Sequence, residues 1–427
     1  MMVSREDGYT DLEFGGGVDN RSRPIKVSDR HVVRADNVDI DKDGVVTRRT
    51  GYTPFAALVN AHSLWSHDLL SFGLVADTTQ LYRIDSDGNL TSIAQNLNGG
   101  DVSCAVIGQR LRWSNGAQTG QMDLSGTVAP LGVETPLPSF DVVANATGGL
   151  PAGRYGVTMT FANAIREEGG APDTTFVDVI DGGGIQIVDV PTSQAGDAVE
   201  ARMYVTEPNG TELFYAGSTL PGAGAFLIGT GVRARILATQ FCEPFPPAKN
   251  LLAKAGRLFG TLGRRLIWSE PMYYGLWRPT LNGLLLPDDI TMIAAPDTPR
   301  FLLYLGTKKK TYVLQGDAID STTLSVACAA GVIPGSMAMA PSEVLHLEKV
   351  DKPVPLWAGT DGIPYVGTEL GVLPLSSVFT YPIYDQAAAA FVQQDGLSRF
   401  IVSGKGGSPA SLAMNDRAVA TIIQNGT

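Results

Sequence analysis

Apolar residues in this chain recur at every second position far more often than at helical spacing. In residues 153–161 (GRYGVTMTF) and 200–207 (EARMYVTE) they alternate with polar ones or form short β-branched and aromatic runs. Extended amphipathic helical patterns are almost absent. A period of two places successive side chains on opposite faces of an extended strand, so the pattern predicts an all-β protein. The 49 glycines and 26 prolines in 427 residues favour many short turns over long helices, which agrees.

The predicted strands come as strand–turn–strand units. Residues 31–58 hold a hairpin in which Val38 and Ile40 precede Asp41-Lys42-Asp43-Gly44, and Val45 and Val46 resume the strand. Residues 64–94 give strands at 69–76, 80–85 and 90–94, with a turn at Asp87-Gly88. Residues 102–131 repeat the plan with strands at 110–113 and 120–123. These two units start roughly 40 residues apart, a spacing typical of a propeller blade. The plan returns at 257–277, where a strand (257–261), a turn at Gly263 and a strand (266–269) lead into an aromatic-rich loop ending on Trp277. Further units follow at 300–317, 354–376 and 391–407. Six such units and the N-terminal hairpin predict one β-propeller of about six blades. A last strand in 417–427 is placed to pair with the early strands and close the ring, which hides sheet edges.

Between the two series the pattern changes. A proline-flanked exit at 134–140 and a proline-rich return at 242–250 bracket about 100 residues with seven or so short strands, which fits an inserted fibronectin-III or immunoglobulin-like β-sandwich. The Cys…Trp…Cys pattern of a true immunoglobulin domain is missing. The expected division is an extended, Gly-rich N-terminal arm at 1–30, the first part of the propeller at 31–137, the sandwich at 138–245 and the rest of the propeller at 246–427. Arms of this composition often order only against a neighbouring subunit.

Charge and chemistry narrow the function. The net charge is −11. A surface that grips nucleic acid is normally basic, whereas one that nucleic acid passes without sticking is acidic or neutral; ordinary solubility gives the same acidic balance and is the preferred reading of composition alone. The three cysteines, Cys104, Cys242 and Cys328, are far apart and in no zinc spacing, which reads as free thiols in a reducing compartment. The start of the chain has no apolar core and is not expected to be a signal peptide, and no run approaches the ~18 apolar residues of a membrane-spanning helix. No hydrolase, zinc-protease, P-loop or dinucleotide motif is present. His31, His62, His67 and His346 read as structural or surface residues. Asp39, Asp41, Asp43 and Gly44 match the start of a calcium loop, but the position that needs a bidentate Glu is Thr50, so the hairpin is preferred. Asp288, Asp289, Glu343 and Asp361 are the carboxylates available to a glycosidase, and sequence brings no two of them together. No catalytic residue, metal or cofactor is expected.

Lys308-Lys309-Lys310 is the strongest basic cluster and sits at the turn of its hairpin, where it reads as a solvated blade tip or a contact with DNA phosphate. Arg264 and Arg265 occupy the equivalent turn of the 257–269 unit and are candidate subunit contacts. Trp65, Trp113, Trp268, Trp277 and Trp357 occur at similar places in their units and read as packing anchors between blades.

Several of these stretches resemble a group of bacteriophage tail and neck structural proteins. NVDIDKDGVVTRRTGYTPF (37–55) is similar to the group's opening, and RLFGTLGRRLIWSEPMYYGLW (257–277) to its strand, turn, strand, Ser-Glu-Pro, loop, Trp segment. Residues 304–316 and 357–375 resemble its next blades, and the stretch between 153 and 217 its inserted sandwich. The resemblance implies a β-propeller nozzle or tail-tube protein of short-tailed phages, assembled in the host cytoplasm and resident in the virion tail. It also implies a homo-oligomer, typically a hexameric ring below the portal and adaptor, that retains packaged double-stranded DNA and conducts it during ejection. An acidic lumen would repel DNA phosphate and let the duplex slide. The chain departs from the group in lacking obvious extra domains that hold fibres. A receptor- or carbohydrate-binding propeller at a tail tip or fibre, and a propeller glycoside hydrolase, are the alternatives.

Overall fold

The computed structural model describes residues 14, 16–36, 38–40, 44–48, 53–98, 100–229, 235–345, 352–376, 379–394, 397–406 and 418–424. Within them the chain is all-β, with many small antiparallel sheets, three short 3₁₀ turns and no α-helix. Five sheets are four-stranded meanders. The first comprises Ala61–Trp65, Gly73–Asp77, Gln80–Ile84 and Leu90–Ala94, and the second Ser103–Ile107, Arg110–Ser114, Thr119–Asp123 and Val128–Ala129. The third comprises Lys249–Lys254, Arg257–Leu262, Arg265–Trp268 and Gly283–Leu285. The fourth comprises Ile290–Ala294, Phe301–Thr307, Thr311–Gly316 and Thr323–Cys328, and the fifth Ala338–Ala340, Val354–Ala358, Pro364–Thr368 and Gly371–Pro374. A three-stranded sheet of Gln386–Gln394, Leu397–Lys405 and Ala418–Gln424 follows.

The chain divides into two compact units, Ala56–Leu285 and the combination of Met1–Phe55 with Leu286–Thr427. In each, consecutive sheets share a core. Leu74 and Leu81 of the first meander pack with Leu111, Trp113 and Met122 of the second. Ala105 of the second packs with Leu258, Ile267 and Trp277 of the third region. In the other unit, Met292 and Tyr304 of the fourth meander pack with Trp357 and Tyr365 of the fifth, and Leu356 and Val366 of the fifth pack with Phe400 and Val402 of the C-terminal sheet. A sheet between two neighbours is apolar on both faces. Leu258 therefore faces one core while Phe259, on the other face, packs against Trp268 at 6.2 Å.

Residues 141–228 form seven strands in two sheets. Asp141–Leu150, Gly183–Val188 and Ala225–Ile228 make one; Thr175–Val179, Gly153–Asn163, Ala198–Thr206 and Leu213–Thr219 make the other. Val157, Met159, Phe161 and Met203 meet Ile185, Ile187 and Ile228 in a common core. The strand order differs from the immunoglobulin plan, in which the first two strands share a sheet; here they lie in opposite sheets. These two sheets belong to the compact unit Ala56–Leu285. The backbone packs closely at both of their connections to the neighbouring segments. A Cβ on Gly169 would lie 2.6 Å from the Glu134 carbonyl oxygen, and one on Gly170 1.8 Å from that of Cys242. The Gln121 amide also donates to Glu167 Oε2 at 2.8 Å. Gly170→Ala is expected to cost at least about 1–3 kcal/mol through forced backbone movement, read as a fall in Tm, while alanine at the open Gly224 leaves Tm within a degree or two of the parent.

Two terminal expectations need correction. Residues 1–13 and 15 of the arm lie outside the described residues, but the segment from Gly16 onward is docked on its own chain. Gly17–Val18 pairs in parallel with His31–Val32. The Asn20 side-chain amide mimics a backbone bridge: it donates to Thr380 O at 2.8 Å and accepts from Thr380 N at 2.9 Å. The C-terminal strand Ala418–Gln424 pairs with Leu397–Lys405, not with an early strand. The early hairpin, Val38–Ile40 with Val46–Arg48, instead reaches the C-terminal sheet through an Asp39–Arg399 ion pair at 3.5 Å.

Candidate functional site

The sequence-selected cations fall into two hairpin turns, one in each compact unit. Lys308, Lys309 and Lys310 are exposed between Phe301–Thr307 and Thr311–Gly316. Thr307 builds this turn: its hydroxyl accepts from the Lys309 and Lys310 N–H groups at 3.2 and 3.1 Å and donates to the Lys310 carbonyl at 3.0 Å. Lys309 is committed locally, 2.6 Å from Asp288 Oδ1, and that hydrogen bond holds its ammonium above the ordinary lysine range. Lys308 and Lys310 have no ion pair among the described residues. Arg264 is exposed beside Gly263, whose φ of 58° makes the tight turn. Arg265 is drawn inward instead of outward: its guanidinium lies 5.3 Å from the Trp277 ring and donates to the Pro279 carbonyl. The planar cation gains a stacking surface there that solvent does not offer.

Several other candidates have structural roles. Trp113, Trp277 and Trp357 sit in the cores between sheets. His67 stacks on Trp65 at 5.8 Å, and His62 Nδ1 lies 2.9 Å from Ser63 Oγ in a bulged strand. His346 and the turn residues Asp41, Lys42 and Asp43 lie outside the described residues. Asp361 accepts from the Ile363 N–H at 3.0 Å and from the Tyr365 hydroxyl at 2.7 Å, shaping its own turn. Glu343 is exposed in a short 3₁₀ turn. Among the described residues no group of three or more His, Cys, Asp or Glu is placed to hold a metal ion, and no helix is long and apolar enough to cross a membrane. The buried Cys104 thiol is pushed well up by desolvation.

Among the described residues, one buried polar cluster is not signalled by the sequence. Thr160 and Arg202 are directly opposite on adjacent strands, and Tyr204 lies two residues on, so all three share the face turned away from the sandwich core. Glu168 is brought over them by the turn after Asn163. Its Oε1 accepts from the Thr160 hydroxyl at 2.7 Å and the Tyr204 hydroxyl at 2.6 Å. Its Oε2 accepts from Arg202 Nη1 at 2.9 Å and from Arg235. Arg202 also donates to Glu200 at 2.9 Å. Burial, then the Glu168 partner, pushes the Tyr204 hydroxyl well above the ordinary phenol range and keeps it a donor. Segment 235–240 straps the cluster down: Tyr215 N–H donates to Arg235 O at 2.8 Å, Leu237 N–H to Leu213 O at 2.9 Å, and the Leu237 side chain packs on Tyr204. With four donors on two oxygens, Glu168 has no lone pair left for a substrate proton. The cluster is a fastener.

No family model and no curated protein matches the chain. Similar solved structures include BBS1N in complex with ARL6DN (10% identity, TM-score 0.36, covering 83% of this chain and 93% of that one). The N-terminal domain of Nup159 (10%, 0.29, 81% and 73%) and apo AztD from Citrobacter koseri (10%, 0.29, 80% and 74%) are others. Superpositions this loose decide neither the fold nor the function of this chain.

Proposed function

We propose that this chain is a virion structural protein of a phage tail, of the nozzle or tail-tube β-propeller type, assembling as a ring that retains packaged DNA and conducts it during ejection. The observation that carries the reading is the packing of consecutive four-stranded meanders through shared cores within each compact unit, the way blades pack in a propeller. On this reading the five meanders and the C-terminal sheet are its roughly six blades, and the two sheets of residues 141–228 are an inserted interaction module. Asp361 shapes its own turn, Asp288 holds Lys309, and His62 and His67 contact Ser63 and Trp65, local roles that suit a scaffold. The exposed Lys308, Lys310 and Arg264 are the residues assigned to phosphate or to a neighbouring subunit.

Electron microscopy of the purified protein tests this. The expected result is a ring, six-fold in the simplest case, with an axial channel that admits duplex DNA. A monomer that binds oligosaccharide without cleaving it would support a receptor-binding propeller instead, and one that releases reducing sugar would support a glycoside hydrolase.

A further inference from the structure

Segment 20–34 stands out from the acidic chain that carries it. It holds Arg21, Arg23, Lys26, Arg30 and Arg34 against the single acid Asp29, a net +4, so the rest of the chain carries −15 within the total of −11. The segment is held in a fixed conformation. Asp19 Oδ1 accepts from the Arg21 and Ser22 N–H groups at 3.2 and 2.9 Å, and Asn20 clasps Thr380. Arg34 pairs with Asp36, while Arg21, Arg23, Lys26 and Arg30 are exposed and have no ion pair among the described residues. Ile25, in the middle of these cations, is 90% exposed. One exposed apolar residue is ordinary. One within five residues in sequence of four exposed cations that have no ion pair among the described residues makes a surface with a definite complement, acidic and apolar.

That complement exists on the chain itself. Residues 138–245 contain twelve acids and five bases, a net −7. Strand Thr175–Val179 is the outermost of its sheet and, among the described residues, pairs on one side only, with Gly153–Asn163. Phe176 and Ile180 are 54% and 66% exposed, Asp178 lies between them, and Asp173 and Asp181 are exposed at either end. The only cation opposite in register is Arg154, whose guanidinium lies 4.6 Å from the Phe176 ring.

We propose that segment 20–34 of one copy docks on the acidic edge strand Thr175–Val179 of a second copy, and that this contact joins neighbouring subunits. The inference rests on the oligomeric reading above and adds to it the two faces involved. The patches are different, so the contact is head-to-tail, the type that closes into rings. Charge sets the encounter and the partner, and Ile25 supplies an apolar anchor against Phe176 and Ile180. The segment is already ordered by Asn20 and Asp19, so little conformational entropy is lost on docking.

Mass photometry of the full chain provides the test. Assembly is expected at about 50 mM salt and is expected to weaken at least tenfold at about 500 mM, because exposed charges are screened. Two triple variants, Arg21→Glu/Arg23→Glu/Lys26→Glu and Asp173→Lys/Asp178→Lys/Asp181→Lys, are each expected to be monomeric with parental thermal melts. Mixing them is expected to restore assembly, because the reversed patches match again. If the parent assembles and either variant assembles equally well, or if the mixture stays monomeric, the proposed contact is wrong while the ring survives. A parent that is monomeric at every concentration removes both.

Discussion

Trp357→Ala is expected to lose about 3–5 kcal/mol of stability, the range for removing a large aromatic from a packed core. Trp357 is fully buried between sheets: its ring centroid is 5.7 Å from Tyr304 of the fourth meander and 6.4 Å from Tyr365 of its own. The neighbouring strand makes room for it with Gly367, where a Cβ would lie 2.6 Å from Tyr304 and 2.9 Å from the indole. Among the described residues the indole N–H has no hydrogen-bond partner, so the loss comes from packing and the cavity left behind. Trp357→Phe keeps part of the ring and is expected to lose less than half as much. Equilibrium urea unfolding monitored by far-ultraviolet circular dichroism reads both. If alanine costs under about 1 kcal/mol, in the range of a surface change, the core between these meanders is not what holds them together.

The same tryptophan shows what period-two reading captures. Strands with a clear alternation are legible: Leu90–Ala94 falls where predicted, and Gly153–Asn163 extends the run expected at 153–161 by two residues. Edge strands such as Ala61–Trp65, Ala338–Ala340 and Thr323–Cys328 were missed because their side chains are half exposed and their pattern is weak. What alternation could not tell was which polar faces are covered. GVTMTF and ARMYV read as strands with one wet face, yet Thr158, Thr160, Arg202 and Tyr204 are all buried, under the turn after Asn163 and the strap at 235–240. Covering depends on residues far away in sequence, and no local period records it. Arg265 is a similar case. Its neighbour Arg264 is solvated, but Trp277, twelve residues on, captures the second guanidinium.

The covered polar face gives the second large effect. Glu168→Gln is expected to cost about 3–5 kcal/mol, because it leaves the Arg202 charge buried without its main partner. The amide retains the shape but replaces two acceptor lone pairs with donors aimed at donors, so the hydroxyls of Thr160 and Tyr204 or the two guanidinium groups lose an acceptor. Arg235→Ala removes another partner of the same carboxylate, yet Arg235 is half exposed and Arg202 stays behind to neutralise Glu168. Its cost is expected to be only about 1 kcal/mol or less, as for partly solvated pairs. The double variant Glu168→Leu/Arg202→Met is expected to be less destabilised than the sum of its single variants, since neither charge is then stranded. The ordering separates a buried fastener from a surface ion pair. In a surface network Glu168→Gln and Arg235→Ala would cost alike and both losses would shrink in high salt, whereas for the fastener the Glu168→Gln loss persists in high salt and exceeds the Arg235→Ala loss at least threefold.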